Sequence, residues 1–184
     1  MIMTPSESPH STDAARLQQE AEDEAVLHAC AKELVNPASG IANDYLNHFN
    51  EILLLIEHLP IMLPEMVDEI LQWGPKTYRE YFEQSPLPGS AETLKIYDRL
   101  PETFRTFFEA KIAELNKFAL ASVDVISKHR GPNGEINPED VEEFCARTSE
   151  AMRAALVDAA DIVNHGQARA IETPQNMADR ILNQ

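Results

Sequence analysis

The chain has 184 residues, of which 43% are hydrophobic and 25% charged, an apolar supply sufficient for one packed domain and incompatible with wholesale disorder. Acidic residues outnumber basic ones 31 to 15, a net charge of −16, which excludes a surface built to hold phosphate backbones. Only two cysteines, Cys30 and Cys145, occur, and both fall within helix-like stretches; a secreted disulfide scaffold is excluded and free, buried thiols are expected.

Residues 1–11 are rich in Pro, Ser and Thr, with neither the basic nor the apolar segment of a secretory signal, and are expected to form a flexible tail. The longest purely apolar run, Ile52 to Ile56, is far shorter than the ~20 residues needed to cross a bilayer. A cytoplasmic protein with no membrane and no nucleic-acid partner follows as the expectation.

Nearly every segment between Pro and Gly punctuation repeats its apolar residues with the helical period, and no run alternates as a strand would. The expected fold is all-α, a single domain over residues 12–184. Ser11, Thr12 and Asp13 offer N-caps for a first helix from about 13 to 35, closed by Asn36-Pro37 because the residue before proline disfavours the helical region. A second helix is expected from about 37 to 59, with Ile41, Tyr45, His48, Phe49, Ile52, Leu55, Ile56 and Leu59 on one face. Short helices follow between Pro64 and Trp73, from Pro75 to Phe82, and from Ser90 to Leu100, with Ser90 as a cap. The third long helix spans about 101 to 129 and ends in Lys128, His129 and Arg130, which suit the negative helix terminus. The fourth spans about 138 to 164, with Asn137 as N-cap, Pro138 at the first position and Glu139 and Asp140 beside them. Thr173-Pro174 starts one more short helix to Leu182. Four long helices with a short-helix insertion at about 64–100 predict a four-helix-bundle-like core.

The segment Lys32-Glu-Leu-Val-Asn-Pro-Ala-Ser-Gly-Ile41 resembles the phosphoacceptor box of histidine kinases, His-Glu-Leu-Arg-Asn-Pro followed by an apolar position and a later Ile. Glu33, Leu34, Asn36, Pro37 and Ile41 match in place, whereas Lys32 stands where the histidine would be. The resemblance implies a bundle related to dimerisation and phosphotransfer helices but without the chemistry, since the lysine does not accept the phosphoryl group.

An acid and a histidine share a helical face at three places, Glu24/His28, Asp44/His48 and Asp161/His165. Asp161 and His165 point away from the apolar face and read as a surface pair; the direction of Glu24/His28 is undecided. His48 lies at the edge of the apolar seam with Asp44 and Glu51 beside it. A structural histidine is the first expectation there, and a metal or small-ligand site on Asp44, His48 and Glu51 the alternative. The repeated Glu-x-x-His pattern of di-iron bundles is missing. No CxxC, nucleophile-elbow or Walker pattern occurs, so the sequence leans against an enzyme and implies no cofactor.

The aromatic residues concentrate around the insertion. Trp73, Tyr78, Tyr81, Phe82 and Phe107 are therefore expected to form an interaction surface for a protein partner. The second helix carries Leu46, Leu53 and Leu54 outside its main stripe, a surplus that predicts burial against a second copy, that is, a homodimer.

Overall fold

In a computed structural model of the protein, the described residues are 9–61 and 64–166. The helices are α1 (Pro9–Leu34), α2 (Asp44–His58), α3 (Pro64–Gln72), α4 (Tyr78–Glu83), α5 (Ser90–Asp98), α6 (Glu102–His129) and α7 (Pro138–His165), with a 3-10 turn at Leu59–Ile61 after α2. The fold is all-α; two isolated bridges, Val35 with Ala42 and Arg130 with Ile136, are the extended pairings among the described residues. The helix expected from Thr173 to Leu182 lies outside those residues, and no described helix is long and apolar enough to cross a membrane.

The long helices α6 and α7 begin and end where local chemistry dictates. Asn137 caps α7 through its side chain, accepting from the Glu139 N–H at 3.4 Å, with Pro138 in the first turn. At the other end the Gly166 N–H bonds the Ile162 carbonyl at 2.8 Å and closes the helix.

The second helix starts later than its sequence suggests. Pro37 is not its first residue; residues 36–42 form a tight reversal instead. The Asn36 side chain accepts from the Ala38 N–H at 2.9 Å, the Asn36 carbonyl accepts from Gly40 at 2.7 Å, and Gly40 takes a left-handed φ of +73°. Ile41 and Ala42 are fully buried, and the Ala42 N–H is satisfied by the Tyr78 hydroxyl at 3.0 Å. The histidine-kinase-like segment thus straddles a helix end and a turn, with Lys32 exposed on the last turn of α1.

Two further caps differ from expectation. Ser90 does not cap α5: its hydroxyl donates backward to the Leu87 carbonyl at 2.8 Å, and Gly89, at φ +87°, holds the N-cap position. Helix α4 is capped at Thr77 rather than opened by Pro75, because Thr77 and Glu80 form a reciprocal capping box, the hydroxyl accepting from the Glu80 N–H and the carboxylate from the Thr77 N–H at 2.8 Å.

The core lies among α2, α6 and α7, with α3 laid across α2 and α6 and with α4 and α5 packed on each other. Of the four long helices, α1 is the one that packs chiefly outside this centre, against α5. Its sequence is charged around most of its circumference, so it has little apolar face to contribute. The central seam is continuous through Ile41, Phe49, Ile52, Ile56, Leu115, Ile126, Val141, Met152 and Ala159, none more than slightly exposed. Leu46 and Leu53 are also buried, each 5% exposed, because α2 is packed by α7 on one side and by α6, α3 and α4 on others. The surplus that predicted a dimer therefore reduces to Leu54, which is 55% exposed.

Candidate functional site

The end of α2 and the end of α3 face each other across an open cavity of about 740 Å³, a size typical of ligand clefts. Its walls follow from helical spacing. Glu51, Leu54, Leu55 and His58 recur on one face of α2 at intervals of three and four residues, and Glu69, Gln72 and Trp73 do the same at the end of α3. Leu55 and Trp73 are partly buried against the core and form the floor; Leu54 projects into the opening; Glu51 and Glu69 are exposed on opposite rims.

Trp73 is held in place by His48. The two rings stack at 4.8 Å, 18° from parallel, and the indole N–H donates to the His48 carbonyl at 3.3 Å. The His48 ring is buried, and its Nε2 lies 3.1 Å from the Gly74 carbonyl, so the neutral tautomer that protonates Nε2 donates this hydrogen bond. Burial, and secondarily the charge of Lys76, hold the imidazole below its ordinary pKa, against the opposing pull of the Gly74 carbonyl and Glu51.

The three residues singled out as a possible ligand set are not gathered at one point. His48 faces Gly74 and Trp73, Asp44 accepts from the Asn47 amide at 3.2 Å, and Glu51 lines the cavity. Among the described residues no group of three His, Cys, Asp or Glu side chains is placed to hold a metal ion. Asp161 and His165 meet at the surface at 2.7 Å; the side chain of Glu24 lies outside the described residues, and His28 is exposed.

The aromatic residues divide. Tyr78 and Phe82, four residues apart on the inner face of α4, are 4% and 1% exposed and belong to the core, not to an accessible surface. Tyr78 stacks on Tyr97 at 4.3 Å and meets Tyr45 edge-on at 5.3 Å. Trp73, Tyr81 and Phe107 are partly buried and flank the core, and of these Trp73 lines the groove. The groove itself is half legible in the sequence: Leu54 stands out as surplus and Trp73 as part of a cluster, but Glu69 and Gln72 carry no signal until α3 folds back onto α2.

Comparison with known proteins finds no matching family model, no matching curated protein and no matching solved structure.

Proposed function

We propose that the protein is an acidic helical interaction module, non-enzymatic, whose α2/α3 groove receives an amphipathic helix with basic flanks from another protein. The observation that carries this reading is Leu54, exposed beside an apolar floor of Leu55 and Trp73 and between the carboxylates of Glu51 and Glu69. A visiting helix inserts apolar side chains spaced three and four residues apart, and Lys or Arg on its flanks meets the two rims. The partly buried Trp73 supplies the kind of aromatic anchor that dominates such interfaces, while the rim acids and the net charge of −16 steer a basic partner. Self-association through this groove is the weaker alternative. An isologous contact sets each patch against its own copy and brings Glu51 and Glu69 near their equals.

The test uses two labelled peptides with the same leucine stripe, one flanked by lysines and one by glutamates. The lysine peptide is expected to bind and to shift the emission of Trp73, the sole tryptophan. Leu54→Glu is expected to weaken it by about tenfold or more, although the substitution adds a negative charge and strengthens any non-specific attraction to the peptide. Equal binding of the two peptides, or undiminished binding by Leu54→Glu, overturns the reading. Sedimentation equilibrium decides the alternative: a constant mass of 20.6 kDa is expected. A doubled mass that Leu54→Glu abolishes would put a second copy in the groove.

A further inference from the structure

A second cavity, of about 680 Å³, opens on the far side of the aromatic cluster, between α6 and the Pro75–Glu80 segment. Four of its residues, Arg105, Phe108, Ile112 and Asn116, recur along one face of α6, and Lys76 and Tyr97 close it from the α3–α4 connection and from α5. In a chain with two acids for every base, this lining holds three cations and three carboxylates.

The carboxylates are engaged and two of the cations are not. Asp98 pairs with Arg79, Glu80 accepts from Thr77 in the capping box, and Glu109 accepts from the Tyr97 hydroxyl at 2.9 Å. Burial, then the hydrogen bond to Glu109, pushes the Tyr97 phenol up, so it keeps its proton as a donor to that carboxylate. Arg105 and Lys76 make no ion pair or side-chain hydrogen bond with any described residue; the nearest partner of the guanidinium is the face of Tyr97, its carbon 6.0 Å from the ring centroid. Arg105 Nε is buried without a hydrogen bond, and so is Asn116 Oδ1. A buried polar atom left without a partner is costly, and the Arg105 guanidinium, whose Nε is such an atom, is a ready fork for an oxyanion.

We propose that this cavity is a binding site for a small organic anion, a carboxylate carried on a flat apolar body, with Arg105 and Lys76 on the carboxylate and the body lying against Pro75 and Ala113, the exposed apolar residues of the lining. An apolar lining with Tyr97, Phe108 and Ile112 closed into the core behind it favours a hydrophobic group over a sugar or a peptide. Arg105 gives two parallel N–H donors to the carboxylate, and Lys76 adds a point charge. This site is separate from the α2/α3 groove and does not depend on the reading given for it.

Isothermal titration calorimetry with 2-naphthoate, with the neutral 2-naphthalenemethanol and with inorganic phosphate separates the contributions. Naphthoate is expected to bind the intact protein, and the alcohol and phosphate at least about tenfold more weakly, since neither offers both the charge and the flat body. Arg105→Gln is expected to lose about tenfold or more of the naphthoate affinity with an unchanged thermal midpoint, and Lys76→Gln to lose a smaller factor. Leu54→Glu, in the other groove, leaves the affinity as it is. If Arg105→Gln does not fold, Lys76→Gln, on an exposed connection, carries the test alone. Absence of naphthoate binding at millimolar concentration, equal binding of the alcohol, or full affinity in both variants overturns the proposal; tight phosphate binding with no gain from the aromatic body overturns the assignment of the ligand class.

Discussion

Trp73 lies flat on His48, and the two residues are joined twice, by the stacked rings at 4.8 Å and by the indole N–H on the His48 carbonyl. The contact ties the end of α3 to the middle of α2 and sets one wall of the groove. Truncating the imidazole removes the stack and leaves the Gly74 carbonyl without its donor. His48→Ala is expected to cost about 1–3 kcal/mol in urea unfolding. Emission from Trp73 is expected to move to the red in the folded variant. An unchanged midpoint and an unchanged spectrum would mean that the contact does not hold the groove wall.

The same burial makes His48 a source of acid sensitivity. Its folded pKa lies below the ordinary value of 6.5, so between the two values the unfolded chain binds a proton that the folded chain refuses. Stability from this group is therefore whole above 6.5 and is lost as pH falls below it towards the folded pKa. His48→Phe, which keeps a ring on Trp73, is expected to flatten the pH dependence of unfolding just below 6.5 relative to the natural chain. Identical slopes in the two proteins would assign the acid sensitivity elsewhere.

Gly166 ends α7 against the α1–α2 turn, and its neighbours forbid a side chain. Its backbone sits at φ +65°, ψ −148°, and a Cβ there would stand 1.9 Å from the Ala38 carbonyl oxygen. Gly166→Ala is expected to lose at least about 2 kcal/mol, from the conformation together with the displaced turn. Gly74, where a methyl group would meet nothing within 4 Å and where φ is not left-handed, is the control. Gly74→Ala is expected to stay within about 0.5 kcal/mol, and a loss comparable to that of Gly166→Ala would refute the steric argument.

The two thiols, free as expected, differ in environment. Cys145 is buried within α7 and burial pushes its thiol up to about 11, whereas Cys30 is half-buried near the end of α1. Ellman's reagent at neutral pH is expected to modify one thiol readily, Cys30, and the second only when denaturant opens the core. Equal rates for both would show that α7 opens far more readily than its packing implies.

The helical class and the limits of α6 and α7 are legible because they rest on neighbours in the chain. An N-cap acts over three residues, a helical period over seven, and Asn137-Pro138 and the run from Phe104 to Ile126 carry those signals intact. The start of α2 departs from its sequence pattern because two local signals compete there. Pro37 suits the first turn of a helix, yet Asn36 and Gly40 favour a reversal, and the Tyr78 hydroxyl on Ala42, 36 residues away, favours the reversal further. The capping box at Thr77 and Glu80 is present in the sequence and is overshadowed by Pro75.

The candidate site is legible in part for a related reason. Periodicity places His48 at the edge of the apolar seam, a position read from α2 alone, whereas its burial is supplied by neighbours outside α2. The partners of His48, Trp73 and Gly74, lie across the breaks at Pro60 and Pro64, and no spacing rule reaches over a change of chain direction. The same holds for Tyr78 and Phe82, which turn inward once α4 docks, and for Leu46 and Leu53, which neighbouring helices cover without a second copy. Local pattern states how much apolar surface each helix must bury. Which neighbour buries it, and which residue such as Leu54 is left over, is settled when all the faces compete for one core.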